Sequence, residues 1–328
     1  MKLTLKRILF GLMILFTFSL SAQETLPIYS DYLSDNVYLV HPAAAGIGNC
    51  GKVRLTGRNQ WSGVDDAPTL QTLSFHSRVG DKIGLGAIAY NDANGYHSQT
   101  GFGATFAYHI DLERPEDAHQ LSFALSGFYV QNRLDQSTFP VGTDPVITGI
   151  AESSGYMNAD FGMAYHNSGF FSYFTAKNLL LTARNLYDDQ YEPFDLRRYL
   201  LTAGYYFGGN NNLVHLEPSA MFQLVGRTGE KFLDSNLKAY FNLDNAQLWA
   251  GLSYRQGFDG NEEEEFRSFS PILGVNVRQF MFSYTYTRQT GDFLFAGGSY
   301  HQITLGMNVF CRSRSKCLTA CPNINGSF

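Results

Sequence analysis

The chain has 328 residues, of which 44% are apolar, 15% aromatic and only 16% charged. An ordinary soluble domain is roughly 25% charged; trading charge for aromatic residues and glycine excludes a disordered chain, which is poor in apolar residues and rich in net charge. A formal net charge of −5 offers no basic surface for nucleic acid, and beyond the N-terminus no run reaches the ~20 consecutive apolar residues of a spanning helix.

Residues 1–22 read as a signal peptide. Lys2, Lys6 and Arg7 form a positive leader, and Ile8 to Leu20 an apolar stretch, about 13 residues long and too short to span a bilayer. Ser19-Leu20-Ser21-Ala22 supplies small residues for cleavage before Gln23. No cysteine follows to carry a lipid, so an exported chain without a lipid anchor is expected. Residues 23–50 lack strand-like alternation and are expected to stand in the periplasm as an N-terminal segment.

From residue 51 to 310 the apolar pattern has a period of two. Phe280, Phe282, Tyr284 and Tyr286 alternate with Met281, Ser283, Thr285 and Thr287; Ile303, Leu305, Met307 and Val309 alternate with Gln302, Thr304, Gly306 and Asn308. Ile83, Leu85, Ala87 and Ala89 alternate with Gly84, Gly86 and Tyr90, with Ile88 as an exception. Successive strand residues point to opposite faces, so each segment carries one apolar face and one small or polar face. Strands are expected near 52–60, 70–78, 82–90, 100–110, 119–131, 157–166, 170–183, 197–207, 214–225, 232–243, 246–256, 267–277, 280–288 and 300–310. That makes 14, an even count, with lengths near the ~10 residues of a tilted transmembrane strand.

The connections sort by parity. Odd-numbered ones are long, including 132–156, 184–196 and 257–266, whereas most even-numbered ones are tight, as at 79–81, 167–169, 244–245 and 278–279. Long outer loops alternating with short periplasmic turns mark an outer-membrane barrel, and a soluble sandwich has no reason to sort its loops this way. The fold class expected is therefore all-β, a 14-stranded antiparallel outer-membrane barrel. Its apolar face meets lipid; its lumen is lined by small and polar residues, with Arg255 and His76 among few ionisable ones. The lumen is either a pore or filled by side chains and part of the N-terminal segment.

Cys50 precedes the first strand, and Cys311, Cys317 and Cys321 follow the last. In an even-stranded barrel all four face the oxidising periplasm, and closure brings Cys50 beside Cys311. Two disulfides tying the N-terminal segment and the tail, 311–328, to the rim are expected, with three connectivities open. A metal site at Cys317 and Cys321 lacks a matching second pair and a histidine in the tail.

Motifs of catalysis are missing: no close-spaced histidine pair and no G-x-S-x-G elbow occurs. Catalytic, cofactor and metal residues are accordingly expected to be none, and the protein no enzyme. The acidic run 262–265 reads as a solvated loop. The longest loop, 132–156, mixes Phe139, Val141, Val146 and Ile147 with Pro140 and Pro145; these apolar residues are candidate partner contacts, because rigid scaffolds carry binding function on loops.

Pro27, the Tyr29-Ser30 pair and the turn Pro42-Ala-Ala-Ala-Gly46 are followed by Arg54-Leu-Thr-Gly-Arg58-Asn59-Gln60-Trp61-Ser-Gly63 and then Pro68. In this order after a signal peptide they resemble the PorP/SprF family of type IX secretion system membrane proteins, most closely the SprF-type members of gliding bacteria. Members commonly have Asn-Pro where this chain has His41-Pro42, and the cysteine-rich tail is unusual. The resemblance implies an outer-membrane protein needed for secretion or surface anchoring of a large adhesin with a type-B C-terminal domain, working with periplasmic or outer-membrane secretion and gliding components. A general porin is the rival reading of the same barrel.

Overall fold

The computed structural model describes residues 33–48, 50–60, 67–112, 119–137, 150–181, 195, 197–208, 213–258, 266–290 and 299–311. Alternation of apolar and small or polar residues builds 14 strands: β1 (Gly51–Gln60), β2 (Thr69–Val79), β3 (Ile83–Asn94), β4 (His97–Asp111), β5 (Gln120–Asp135), β6 (Ala151–Asn167), β7 (Phe170–Lys177), β8 (Arg198–Tyr205), β9 (Val214–Val225), β10 (Lys231–Asn242), β11 (Ala246–Gly257), β12 (Arg267–Val277), β13 (Phe280–Thr290) and β14 (Ser299–Val309). Each pairs antiparallel with its sequence neighbours, and β1 pairs with β14 from Gly51↔Val309 to Gln60↔Tyr300. The barrel is closed, so no sheet edge is left open to lipid.

All 14 expected strands are present, and their ends hold the differences. β4, β5 and β6 run 15, 16 and 17 residues, well past the ~9–11 that cross the membrane. Their outer parts, such as Gln131-Asn132-Arg133 and Glu152-Ser153-Ser154, are polar on both faces. Once the strand clears lipid the apolar–polar contrast vanishes, and the sequence looks like loop. As a result the connection between β3 and β4 is only Gly95-Tyr96, with Gly95 at φ +57°, against the long outer loop expected there. β7 instead ends early, at Lys177, where Asn178 turns to φ +56°.

The faces divide as expected. Leu55, Leu73, Leu85, Phe102, Phe106, Leu125, Met157, Leu201, Leu252, Leu273, Phe282 and Leu305 are exposed, a girdle of apolar surface that only a hydrocarbon surrounding makes tolerable. Their strand neighbours Ser74, Thr105, Ser126, Thr202, Ser283, Thr285 and Thr304 are buried toward the lumen. Ile88, the exception to the alternation, faces inward and packs in an apolar cluster with Tyr38, Tyr90, Val130 and Tyr156.

One expectation changes here. Residues 33–47 do not stand in the periplasm. They fold inside the barrel through two 3-10 turns, Val37–Leu39 and Pro42–Ala44, and Tyr38, Val40, His41 and Ala43 to Ile47 are buried there. Width explains this: eight strands enclose a space that side chains fill, and 16–18 leave an aqueous channel. A 14-stranded lumen lined by small residues is too wide for its own side chains, and the chain preceding β1 fills it. Residues 1–32 and 312–328, including the leader and most of the tail, lie outside the described residues.

Candidate functional site

The lumen and the segment inside it form the site. Gly46 carries φ +75°, and a side chain there would meet the Cα of Gly84 at 2.7 Å and Ser77 O at 3.2 Å. Only glycine takes this conformation at so close an approach. Across from it, Gly84 leaves room for Ala45 O and Gly86 for the ring of Tyr38. The glycines alternating in β3 are therefore small because the segment presses against them.

Polar wall groups grip the segment's main chain. The Gly46 N–H donates to His76 Nδ1 at 3.1 Å, and Gly46 O accepts from Arg78 Nε at 2.9 Å. His109 Nε2 donates to Ala45 O at 3.0 Å while its Nδ1 accepts from Ser122 Oγ at 2.8 Å. Lys177 Nζ donates to Leu39 O at 3.2 Å. Side chains add to this hold: Tyr38 donates to Thr105 Oγ1 at 2.8 Å, and Asn36 Nδ2 to Ser74 Oγ at 3.1 Å. His41, with no exposure, lies 2.8 Å from both Thr175 Oγ1 and Thr202 Oγ1 and stacks on Tyr173. Burial first, then the charge of Lys177, push its pKa down to about 3, so the ring is neutral, with one nitrogen donating and the other accepting.

A charge anchor completes the hold. Asp35 pairs with Arg54 of β1 at 3.3 Å. Burial alone raises the carboxyl's pKa, but Lys52, Arg54 and Lys238 together outweigh it and hold the group below its ordinary value, so Asp35 is the anion among three wall cations. Arg54 also donates to Val53 O, Met307 O and Asn308 Oδ1, bridging the β1–β14 seam. Close by, Tyr240 donates to Glu217 at 2.7 Å and Lys238 lies over the rings of Tyr240 and Trp249. A cavity of about 10 Å³ between Leu33, Asp35, Val37 and this group has room for about one water. Nearer the outer mouth, Arg58 donates to Gln302 at 3.2 Å and covers Tyr300, and Arg255 forms a two-pronged ion pair with Asp234.

The lumen thus holds Lys52, Arg54, Arg58, Asp160, Lys177, Glu217, Asp234 and Lys238 besides Arg255 and His76, many more ionisable groups than expected. The signal that locates them was available, since their positions share the parity of the lumen face along each strand. Asp35 and Tyr38 had none, because they lie on a segment without strand periodicity.

Of the candidate residues, Cys50 and Cys311 are joined in a disulfide across the foot of the β1–β14 seam. Cys317 and Cys321 lie outside the described residues, as do Pro27, Tyr29, Ser30 and Trp61 and the loop residues Phe139, Val141, Val146 and Ile147. Pro42 and Gly46 bound the buried turn of the segment. Arg58 lines the lumen, and Gln60 N–H donates to Pro68 O at 3.0 Å to start the first outer connection. Among the described residues no group of three or more His, Cys, Asp or Glu side chains is arranged to hold a metal.

Compared with known proteins, residues 21–307 match the family described as "Type IX secretion system membrane protein PorP/SprF". No curated protein matches. Among solved structures the chain is similar to BamA from Haemophilus ducreyi lacking POTRA domains 1–3, at 10% identity and TM-score 0.42 over 79% of this chain and 70% of that one. It is also similar to the CymD monoaromatic hydrocarbon channel, at 11% identity and TM-score 0.44 over 82% and 90%. A third is the Acinetobacter baumannii outer membrane protein Omp33, at 6% identity and TM-score 0.43 over 80% and 99%.

Proposed function

Because this chain belongs to the PorP/SprF family of type IX secretion system membrane proteins, an outer-membrane secretion component, we propose that it anchors a large secreted adhesin at the cell surface. In this reading it is an SprF-type member. Its outer loops hold the adhesin's type-B C-terminal domain, and its periplasmic side meets other secretion and gliding components. The observation that carries the reading is the filled lumen: a segment with a charge anchor, two buried turns and glycine contacts occupies the space through which a porin would pass solute. A barrel so filled acts through its surfaces. The rigid wall of β4 to β6, extended past the membrane, is the support on which outer loops are carried.

The test is to delete residues 138–149, which contain Phe139, Val141, Val146 and Ile147, from the loop between β5 and β6. The barrel is expected to fold, seen as the usual mobility change on heating in gel electrophoresis, while the adhesin appears in the medium. Adhesin retained on such cells counts against the loop as its holder.

A further inference from the structure

The lipid face of the barrel is uneven. Between β2 and β6 it sinks into a furrow of about 730 Å³. Its floor is one row of small residues set by the strand register: Ala87 of β3 lies opposite Ala104 of β4, Ala104 opposite Gly127 of β5, and Gly127 opposite Ala159 of β6. Large exposed residues flank the row, Phe102, Tyr129 and Met157 toward the outer mouth and Leu85, Phe106 and Leu125 toward the periplasm. The row climbs as it crosses the strands, from near the periplasmic start of β3 to half-way up β6. Leu180, just past the outer end of β7, closes its upper end. The Asn158 side chain holds that leucine by its main chain, accepting from Leu180 N–H at 3.0 Å and donating to Leu180 O at 3.3 Å.

Among the described residues nothing accounts for so small a floor. Gly84, Gly86 and Gly162 are small because the lumen segment presses on them, but the floor residues face the other way. Gly127 has no positive φ, and a Cβ there would meet no atom within 4 Å. Glycine and alanine are poor strand formers. A glycine inside a strand, where no bulge or bend asks for it, marks the close approach of another molecule.

Depth and width select the occupant. The furrow lies in the membrane-crossing part of the strands, where the surroundings are hydrocarbon. The flanking rows stand two residues to either side of the floor, so their backbones are about 13 Å apart. Their side chains narrow that gap below the 10–12 Å diameter of a helix, and the convex wall of a second barrel cannot reach the floor. A single extended hydrocarbon chain can. We propose that the furrow binds one acyl chain of an outer-leaflet lipid, which enters beside Leu180 and lies along the row from Ala159 to Ala87. Lipid tails are as apolar as leucine, so burial alone gives no preference over the surrounding bilayer. The preference comes from van der Waals contact on three sides of the chain, where an ordinary stretch of wall offers one. The site depends on the membrane location alone and is independent of the adhesin reading.

The test uses purified protein in phosphatidylethanolamine vesicles, a fraction of whose lipid carries a photoreactive diazirine midway along one acyl chain. After illumination, adducts are mapped by peptide mass spectrometry. Adducts on Phe102 and Tyr129 are expected to exceed those on Phe282 and Tyr254, exposed residues of the same kinds on β13 and β11, by about tenfold. Gly127→Leu and, separately, Ala104→Leu fill the floor and are expected to bring the two faces level. Gly57→Leu, on β1 where an added side chain also meets nothing within 4 Å, puts the same volume outside the furrow and is expected to keep the excess. Heat-dependent mobility on gels checks that each variant folds. Equal labelling of the two faces in the unaltered protein overturns the proposal, as does an excess that survives both floor substitutions. Fewer adducts in the furrow than on the opposite face would reveal a protein occupant and overturn it equally.

Discussion

His41 stands just before Pro42 in the buried turn, and its two ring nitrogens join Thr175 of β7 to Thr202 of β8. Replacing it by alanine strands both hydroxyls in a buried setting, at a cost of about 2 kcal/mol. Denaturant unfolding in detergent is expected to show that loss for His41→Ala and a smaller one for His41→Asn, whose amide offers both a donor and an acceptor on a shorter arm. Equal stability of all three proteins would mean that these bonds contribute nothing. The same scale gives the motif its physical content. Pro42-Ala-Ala-Ala-Gly46 is small and turn-forming because it must lie against Gly84 and Gly162 of the wall and reverse direction at Gly46. Arg54 and Arg58, two residues of the second motif, are lumen groups that bind the segment and the β14 side chains.

At the level of elements, alternation located each strand because lipid on one side and a polar lumen on the other impose opposite chemistry on neighbouring residues. The outer ends of β4 to β6 escaped that logic, being wet on both faces. The filling segment escaped it altogether: a short chain of turns surrounded by wall has no face, so neither period two nor period 3.6 marks it. Its burial follows from barrel width and from small residues such as Gly84, Ala107, Ala124 and Gly162 on four successive strands, which only the strand pairing brings into one row. The first and last strands illustrate what pairing adds to sequence. Closure of β1 on β14 puts Cys50 beside Cys311 across a sequence separation of 261, as barrel topology led one to expect. Removing both, as Cys50→Ser with Cys311→Ser, is expected to lower stability by about 2–5 kcal/mol while leaving the strands paired. The check is the urea midpoint under non-reducing conditions, with unchanged circular dichroism; an unchanged midpoint would show that the seam does not depend on the bond.

For the whole molecule, a closed wall, a filled lumen and tall outer strands assign different work to different surfaces. The lipid face holds the protein in the outer membrane, the lumen is occupied by the chain itself, and the outer mouth carries the loops on which a secreted partner is proposed to sit. That division is the central claim, and it concerns surface retention rather than solute passage. The direct measurement is protease accessibility of a large secreted adhesin with a type-B C-terminal domain on whole cells of a strain lacking this protein, followed by immunoblot of cells and medium. Adhesin lost from the surface, trapped within or shed, is the expected result, and its location tells whether export or anchoring fails. Adhesin present and normally attached on those cells would contradict the account.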